Sequence, residues 1–321
     1  MVTELIHGDA LLVANHLAKS SVDLVYLDPP FNVGTKFRAR TTDAGATSRV
    51  TGPVAYRDQF PSKTAFLDWL FERLNVIHGL LASTGSLWLH LDQRTVHEAK
   101  VRLDALFGEE NFRGEVIWVP GNGGRGNGPT TTHQTLLFYS KTDEFTWNAK
   151  DPELREPYAK TSLSMHFKER DEDGRHYRER TIGKKTYRYY ADLGRLRGSV
   201  WSDCPSMLSN TPLRSETTGY PTQKPLALLE RIVRATSNEG DLVLDPFMGS
   251  GTTLEAALKH GRRAVGSDIG ELSITTVTKR LQRAGHPVEV VDASSRTASH
   301  RAKPRAKRAP APRARRSGPA S

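Results

Sequence analysis

The chain has 321 residues, 37% hydrophobic and 26% charged, an ordinary balance for a soluble protein with room for about two domains. Its single cysteine, Cys204, excludes an internal disulfide and the usual cysteine-based zinc clusters. The net charge is +10, but residues 296–321 hold nine Lys or Arg and no acid, so without that stretch the charge falls to +1 and says little about the fold.

The start, Met1-Val2-Thr3-Glu4-Leu5, lacks the basic and apolar regions of a signal peptide, and no apolar run reaches membrane-spanning length, so a cytoplasmic protein with no membrane contact is expected. Residues 3–9 read as a strand ending in Gly8-Asp9, and 10–19 as a helix with Leu11, Leu12, Ala14 and Leu17 on one side. The apolar run at 22–26 predicts a buried strand. It delivers Asp28, Pro29, Pro30 and Phe31 to its carboxyl end, where ligands sit in open α/β sheets. Prolines cannot donate to a sheet ladder, so the chain leaves the sheet here. Asp28 and the Pro29 carbonyl can then present two acceptors to one amino group, and Phe31 can stack on a flat ring beside it.

Residues 32–60 have weak periodicity and are expected to form a long mobile loop beside a site. A helix is predicted over 62–82, with Ser62 as N-cap and Phe66, Leu67, Leu70, Leu74, Ile77 and Leu81 in 3.6-residue period. Gly85 should end the turn before a strand at 86–91. A helix at 93–107 and strands at 116–119 and 135–139 follow. Residues 121–128, rich in Gly and Asn, read as a hinge or DNA-contacting loop, because no helix start follows to make a phosphate cradle. The stretch 148–215 breaks the α/β rhythm. Aromatic residues interleave its charges, and residues 154–198 hold 12 Lys or Arg against 7 Asp or Glu, a pattern suited to a phosphate-facing surface.

From Pro221 the rhythm returns. A helix begins at Pro225, buried along Leu228, Leu229, Ile232 and Val233, and a strand covers 242–244. The glycine turn Asp245-Pro246-Phe247-Met248-Gly249-Ser250-Gly251 leads into a helix from Thr252, then a strand ending at Asp268 and a helix at 270–284. Strand, glycine turn, helix, strand and acid in this order form a unit in which the backbone approaches a ligand closely, helix N–H groups face it, and the acid takes a ribose. From about residue 293 the composition is Ala, Pro, Ser, Arg and Lys, which cannot build a core.

Asp245-Pro246-Phe247-x-Gly249-Ser250-Gly251-Thr252-Thr253 resembles the S-adenosylmethionine motif of DNA amino-methyltransferases. Asp28-Pro29-Pro30-Phe31 resembles their catalytic tetrapeptide, and Tyr220-Pro221-Thr222-Gln223-Lys224-Pro225 a third signature of the same enzymes. The catalytic motif precedes the cofactor motif, which is similar to the order of the β class. The resemblance implies an α/β, Rossmann-like methyltransferase sheet, circularly permuted, with an inserted target-recognition region and a disordered basic C-terminal tail. The divisions would be a catalytic half at 1–147, the insert at 148–215, a cofactor-binding half at 216–292 and the tail at 293–321. It implies that Asp28, Pro29 and Pro30 bind the target amine and that Phe31 stacks on the base. Phe247, Gly249, Gly251 and Thr252 would line S-adenosylmethionine. Asp245 and Lys224 would lie at its methionine end, Asp268 at its ribose and Asp9 at its adenine. Double-stranded DNA is the implied partner, in a nucleoid-associated protein, together with a homodimer and a separate restriction endonuclease.

The chemistry is coherent on its own terms. An exocyclic amine is a poor nucleophile because its lone pair is delocalised into the ring. Two acceptors holding its hydrogens favour a tetrahedral nitrogen that can attack a sulfonium methyl in line. Methylation at a ring carbon would need a cysteine nucleophile, and Cys204, in Asp203-Cys204-Pro205, reads as structural. His133 resembles a position in a later motif of the family and reads equally as structural. Adenine is the expected base, since cytosine enzymes of this kind more often carry Ser where Asp28 stands. The same chemistry on cytosine and a catalytically inert DNA-binding relative are the alternatives. A nicotinamide oxidoreductase would leave Asp28-Pro29-Pro30-Phe31 unexplained. The tail is expected to add sequence-independent phosphate contacts.

Overall fold

The computed structural model describes residues 2–40, 51–121, 128–207 and 216–295. In chain order, β1 (Thr3–His7), β2 (Val22–Leu27), β3 (Thr35–Arg40) and β4 (Thr51–Asp58) precede α1 (Lys63–Leu80). Then come β5 (Leu81–Leu91), α2 (Val96–Phe107), β6 (Phe112–Trp118) and β7 (Gln134–Ser140). A middle stretch carries β8 (Arg155–Glu156), α3 (Lys160–His166), β9 (Glu169–Arg170), β10 (His176–Ile182), β11 (Lys185–Tyr190), β12 (Arg195–Leu196) and β13 (Val200–Trp201). The last part holds α4 (Leu226–Thr236), β14 (Leu242–Asp245), α5 (Thr252–Lys259), β15 (Arg263–Asp268), α6 (Glu271–Arg283) and β16 (Val288–Asp292).

One nine-stranded sheet in the order β13-β6-β7-β5-β2-β14-β15-β1-β16 organises the molecule. From β5 to β16 its strands run parallel, while β7 is antiparallel to both β5 and β6. The central pair is β2 with β14, in the register Leu24 opposite Val243 and Val25 opposite Leu244. Two stretches more than two hundred residues apart in sequence are therefore neighbours in the sheet. Their carboxyl ends, Asp28 and Asp245, leave the same edge. This α/β sheet is covered on both faces, as parallel sheets must be. One apolar layer contains Val25 and Leu27 of β2 with Leu70 and Leu74 of α1 and Leu103 of α2. The opposite layer contains Leu24 and Tyr26 with Leu229 of α4, Leu254 of α5 and Val277 of α6.

Several expectations change. Residues 10–19 are not an α-helix. A 3-10 turn runs Ala10–Asn15, capped by the Asp9 carboxylate, which accepts from Leu11 N at 2.8 Å. Residues 32–60 are not simply a loop: β3 and β4 form a hairpin with Thr35 opposite Asp58 and Phe37 opposite Tyr56, and 41–50 lie outside the described residues. On β3 the alternation that marks a half-buried strand is confined to Phe37 and Ala39 between Lys36, Arg38 and Arg40, too short to stand out. Gly85 sits inside β5 rather than in a turn, where a Cβ would come 2.7 Å from the Val22 carbonyl, so the close approach of β2 requires glycine. Within 148–215, β13 belongs to the main sheet beside β6, and Asn148 Nδ2 donates to the carbonyls of Arg234 and Ser237, so both flanks of that stretch are tied to the main domain. The edge strand β16 is mostly exposed, and its Val-Glu-Val alternation is too short to mark a strand in the sequence. Ala293, placed in the tail by composition, is buried and bonded through its N–H to the His7 carbonyl. The loop at 122–127 and the rest of the tail, 296–321, lie outside the described residues.

Candidate active site

The site is built at the carboxyl ends of β2 and β14. Asp28 follows β2 directly, and its side chain is 19% exposed. Lys224 Nζ donates to Asp28 Oδ2, while Asp28 Oδ1 is buried without a hydrogen-bond partner. Burial pushes the Asp28 carboxyl above its ordinary range; the Lys224 ammonium pulls it back, and the Asp58 carboxylate pushes it up again.

The corner after Asp28 is fixed by a residue that carries no sequence motif. Asp58, at the end of β4 and 2% exposed, accepts from Phe31 N at 3.0 Å and from Asn32 N. Asn32 adopts φ +58°, a left-handed conformation that asparagine tolerates, and its Oδ1 accepts from Phe60 N at 3.0 Å. The Phe31 ring lies 6.0 Å from the His90 imidazole. His90 Nδ1 and the Tyr26 hydroxyl are hydrogen-bonded at 2.8 Å, and both residues are buried. Burial holds the imidazole pKa far below its usual value and the phenol pKa far above, so both are neutral at neutral pH.

The late half supplies a turn of carboxylates and glycines. Asp245 is 2% exposed and accepts from Phe247 N at 3.1 Å. Burial, with the Asp28 and Asp268 carboxylates adding to it, raises its pKa to about 7. Asp268 accepts from Gly249 N at 3.0 Å and from Gly270 N at 2.8 Å, one bond to each oxygen, which leaves each with further acceptor capacity. Gly249 has φ +47°, and a Cβ there would press on the Tyr220 ring at 3.2 Å. Tyr220 stacks on Tyr56 of β4 with ring centroids 6.5 Å apart, and the Tyr56 hydroxyl reaches Thr222 Oγ1 at 3.0 Å, so the β3–β4 hairpin covers this turn.

Other expected site residues are placed differently. Gly251 has φ +75°, and a Cβ would sit 2.8 Å from Val277, so this glycine serves the packing of α6 under the turn. The Thr252 hydroxyl donates to the Lys224 carbonyl at 3.1 Å and takes a bond from Arg280, tying the glycine turn to the segment before α4. Asp9 spends one oxygen on Leu11 N and the other on Arg73 at 2.6 Å. The Arg73 guanidinium lies over Trp69 at 4.3 Å, and Trp69 is 5.6 Å from the Phe247 ring, so Asp9 reaches Phe247 through two side chains. Lys224, assigned to a methionine end, puts its ammonium on Asp28 instead. Cys204 is buried, its thiol pushed up to about 11 by burial, and its carbonyl accepts from Trp118 Nε1, so it has no place in the chemistry. His133 is half-buried, directly before β7.

An α/β sheet with an acid-proline corner beside an acid-glycine turn at its central pair defines a methyltransferase of the Rossmann-like class. The model of the DNA methylase family, N6 and N4 methyltransferases, matches residues 22–279, and the chain belongs to that family of DNA amino-methyltransferases. It is 30% identical over 285 residues to "DNA adenine methyltransferase YhdJ" of Escherichia coli (strain K12), covering 88% of this chain and 83% of the relative. It is also 30% identical over 268 residues to "Type II methyltransferase M1.MboII" of Moraxella bovis, covering 79% and 87%. Among solved structures, the fold resembles the putative DNA modification methylase TTHA0409 of Thermus thermophilus complexed with S-adenosyl-L-methionine, with TM-score 0.54, 23% identity, and 91% and 100% of the two chains covered. It also resembles the cytosine-N4-specific PvuII DNA methyltransferase, with TM-score 0.53, 15% identity, and 92% and 96% covered. Among the described residues, no helix is long and apolar enough to cross a membrane.

Proposed function

We propose that this protein methylates the exocyclic amine of adenine at a specific sequence in double-stranded DNA, after the base has turned out of the helix. The observation that carries the reading is Asp28. It is a largely buried carboxylate with one oxygen lacking any partner, at the junction of the two motifs. A buried acceptor without a donor is costly, and an amine would satisfy it.

The methyl donor is S-adenosylmethionine, which supplies a methyl group on a sulfonium whose C–S electron pair stays with sulfur. The residues present suit it. Asp245 offers a buried carboxyl to the cationic end, Asp268 has spare acceptor capacity for ribose hydroxyls, and Gly249 leaves the turn open where a side chain would crowd Tyr220. Phe247, Trp69 and Arg73 form the aromatic wall that Asp9 secures. Asp28 and the Pro29 carbonyl accept the two amine hydrogens, and Phe31 stacks on the base from a position set by Asp58. Asp28 need not be a strong base, because the nitrogen becomes acidic as it gains the methyl and its proton can pass to the carboxylate or to water. Turning a base out costs a few kcal/mol, and DNA contacts elsewhere must supply it.

The middle stretch has the features for those contacts. β10 and β11 form a ribbon, exposed on both faces beyond Arg178, of the kind a major groove admits. One face is neutralised internally: Arg188 pairs with Glu179 at 2.9 Å, and Thr181 bonds Thr186. The other carries Arg180 opposite Tyr187 and Ile182 opposite Lys185, with no acid. At the ribbon's root, Arg178 lies over the Phe167 ring, and Tyr158 packs on Phe167 as a small core. A homodimer, a separate restriction endonuclease and association with the nucleoid belong to the same reading.

Adenine is preferred over cytosine because Asp stands at position 28, and the relative named above is an adenine enzyme. The deciding experiment is mass spectrometry of nucleosides from DNA of cells expressing the protein. N6-methyladenine is expected; N4-methylcytosine transfers the same chemistry to the other base. Neither nucleoside, with no heat of S-adenosylmethionine binding, means an inert relative.

A further inference from the structure

Four carboxylates meet at the junction: Asp28, Asp58, Asp245 and Asp268. Among the described residues, the only Lys or Arg within ion-pair distance of any of them is Lys224, on Asp28. Its backbone is anchored, since Thr252 Oγ1 holds its carbonyl and Pro225 follows into α4. Its side chain is 9% exposed and crosses from the late half to the early one. There the ammonium makes two contacts: a hydrogen bond to Asp28 Oδ2, and an approach to the Phe31 ring, with Nζ 5.5 Å from its centroid. A carboxylate oxygen and an aromatic ring are the two groups that the proposed function assigns to the target amine and its base.

We propose that Lys224 is an internal stand-in for the target base: in the DNA-free protein its ammonium holds the Asp28 carboxylate through Oδ2 and lies against the Phe31 ring that the base will take, while Oδ1 stays open to the amine, and it withdraws as the base enters. The proposal rests on the reading of Asp28 and Phe31 as the amine-binding corner. Its physical basis is that an ammonium on a carboxylate and over a ring makes the same charge-assisted and cation–π contacts that favour any N–H donor there. Without it, Asp28, buried near Asp58 and Asp245, would take up a proton and become a donor at an oxygen that must accept. A base bearing an amine replaces the bond that Lys224 gives up. Thymine, with no exocyclic amine, cannot offer two N–H groups to Asp28 and the Pro29 carbonyl together, so the exchange disfavours it. The displacement lowers DNA affinity in proportion to the time Lys224 spends in the pocket.

Asp28 is faced by Tyr26 from its own strand, Tyr56 and Asp58 from β4, and His90 from β5. Asp245 from β14, Asp268 from β15, and Tyr220 and Lys224 from the segment before α4 complete the ring. Burial keeps the tyrosines as phenols and His90 neutral, so below pH 9 the groups that can move a pH profile are the carboxyls.

The test is Lys224→Met, which keeps the stem and removes the charge, with the recognition sequence first read by sequencing DNA from expressing cells. At pH 9, chosen to favour the carboxylate form of Asp28, the variant should bind the cognate duplex more tightly than wild type, by about threefold or more. The acid limb of kcat should move up by about one pH unit, a tenfold loss at the limb, in both the wild-type and the Asp245→Asn background. S-adenosylmethionine affinity by calorimetry should stay within about twofold, and Lys224→Arg should restore the limb. Weaker duplex binding at pH 9, or an unmoved limb with cofactor affinity down about tenfold, overturns the proposal and returns Lys224 to the cofactor. Wild-type protein that binds no S-adenosylmethionine overturns the methyltransferase reading itself, and this proposal with it. A second readout needs no charge-removing variant. The Lys224 ammonium resonance of the free protein, identified by its loss in Lys224→Arg, should disappear or shift on adding cognate duplex; one that stays unchanged in the complex also overturns the proposal.

Discussion

Asp58→Ala separates positioning from chemistry, because Asp58 touches neither base nor cofactor in the proposed mechanism. Its carboxylate accepts the N–H groups of Phe31 and Asn32 from a position 2% exposed. Alanine leaves two backbone donors without their partner, at about 1–3 kcal/mol each where water cannot reach them. It also frees Asn32, held at φ +58°, to relax toward the ordinary regions of backbone space. The corner that aims Asp28 and Phe31 should then drift by a fraction of its own width. A misplacement of about 1 Å costs roughly 100-fold in rate. In single-turnover methylation of a cognate duplex, the rate should fall by about that factor, with melting temperature lowered as well. S-adenosylmethionine affinity should hold within about twofold, since the glycine turn is untouched, and Asp58→Asn, which can still accept one bond, should lie between. A variant within about threefold of the wild-type rate, at unchanged melting temperature, would show that Asp58 does not set the corner.

Asp28→Ala should abolish transfer while leaving duplex affinity nearly intact, measured by filter binding beside a methylation assay; retained activity refutes the assigned role. On the ribbon, Arg180→Ala with Tyr187→Ala should weaken methylation of the cognate site by about 1–3 kcal/mol per lost contact and relax the sequence motif, whereas Thr181→Ala with Thr186→Ala should change neither. Equal effects from both faces would refute the two-faced assignment. Asp245, at about 7, is protonated in the folded protein where an unfolded carboxyl is ionised, so the fold binds the extra proton. Stability from this group is therefore greatest below the unfolded value near 4 and declines as pH rises toward 7. Once ionised, the same carboxylate attracts a cationic ligand, so S-adenosylmethionine should bind more tightly at pH 8 than at pH 6. Asp245→Asn should flatten both trends, in thermal melts and calorimetry, and an unchanged slope in the variant would assign the titration elsewhere.

Much of this site was legible because two strong local signals each define an element. The run before Asp28 reads as a buried strand, and the glycine turn with Asp268 as a strand–helix–strand unit. Ser62 announces α1 by a bond within three residues, its Oγ accepting from Ala65 N at 3.0 Å. What escaped the sequence is what depends on residues far apart in the chain. Asp58 gives no motif, since its meaning lies in two N–H groups 26 and 27 residues earlier. The β3–β4 hairpin that carries it lies over the site rather than on the core, and its alternation is short: Phe37 and Ala39 turn inward between exposed Lys36 and Arg38. The glycines show the same limit: composition marks a tight turn but does not say which side chain lies where the Cβ would be, Tyr220 at Gly249 and Val277 at Gly251.

The same distinction bears on how the two halves work together. β2 and β14 meet backbone to backbone at Leu24–Val243 and Val25–Leu244, which fixes Asp28 and Asp245 at one edge whatever the side chains do. Both carboxyls are pushed up by burial, and the Asp28 carboxylate raises Asp245 further, so a cation beside either one relieves it. Lys224 provides that cation in the free protein, and a sulfonium provides one when the cofactor is bound. An acid-rich junction with one built-in ammonium is thus stable before it meets its ligands and most receptive once the ammonium is displaced. This predicts that cofactor and target base bind with positive coupling: duplex affinity should rise when S-adenosylmethionine is present, and by linkage the cofactor should bind more tightly in the presence of cognate duplex.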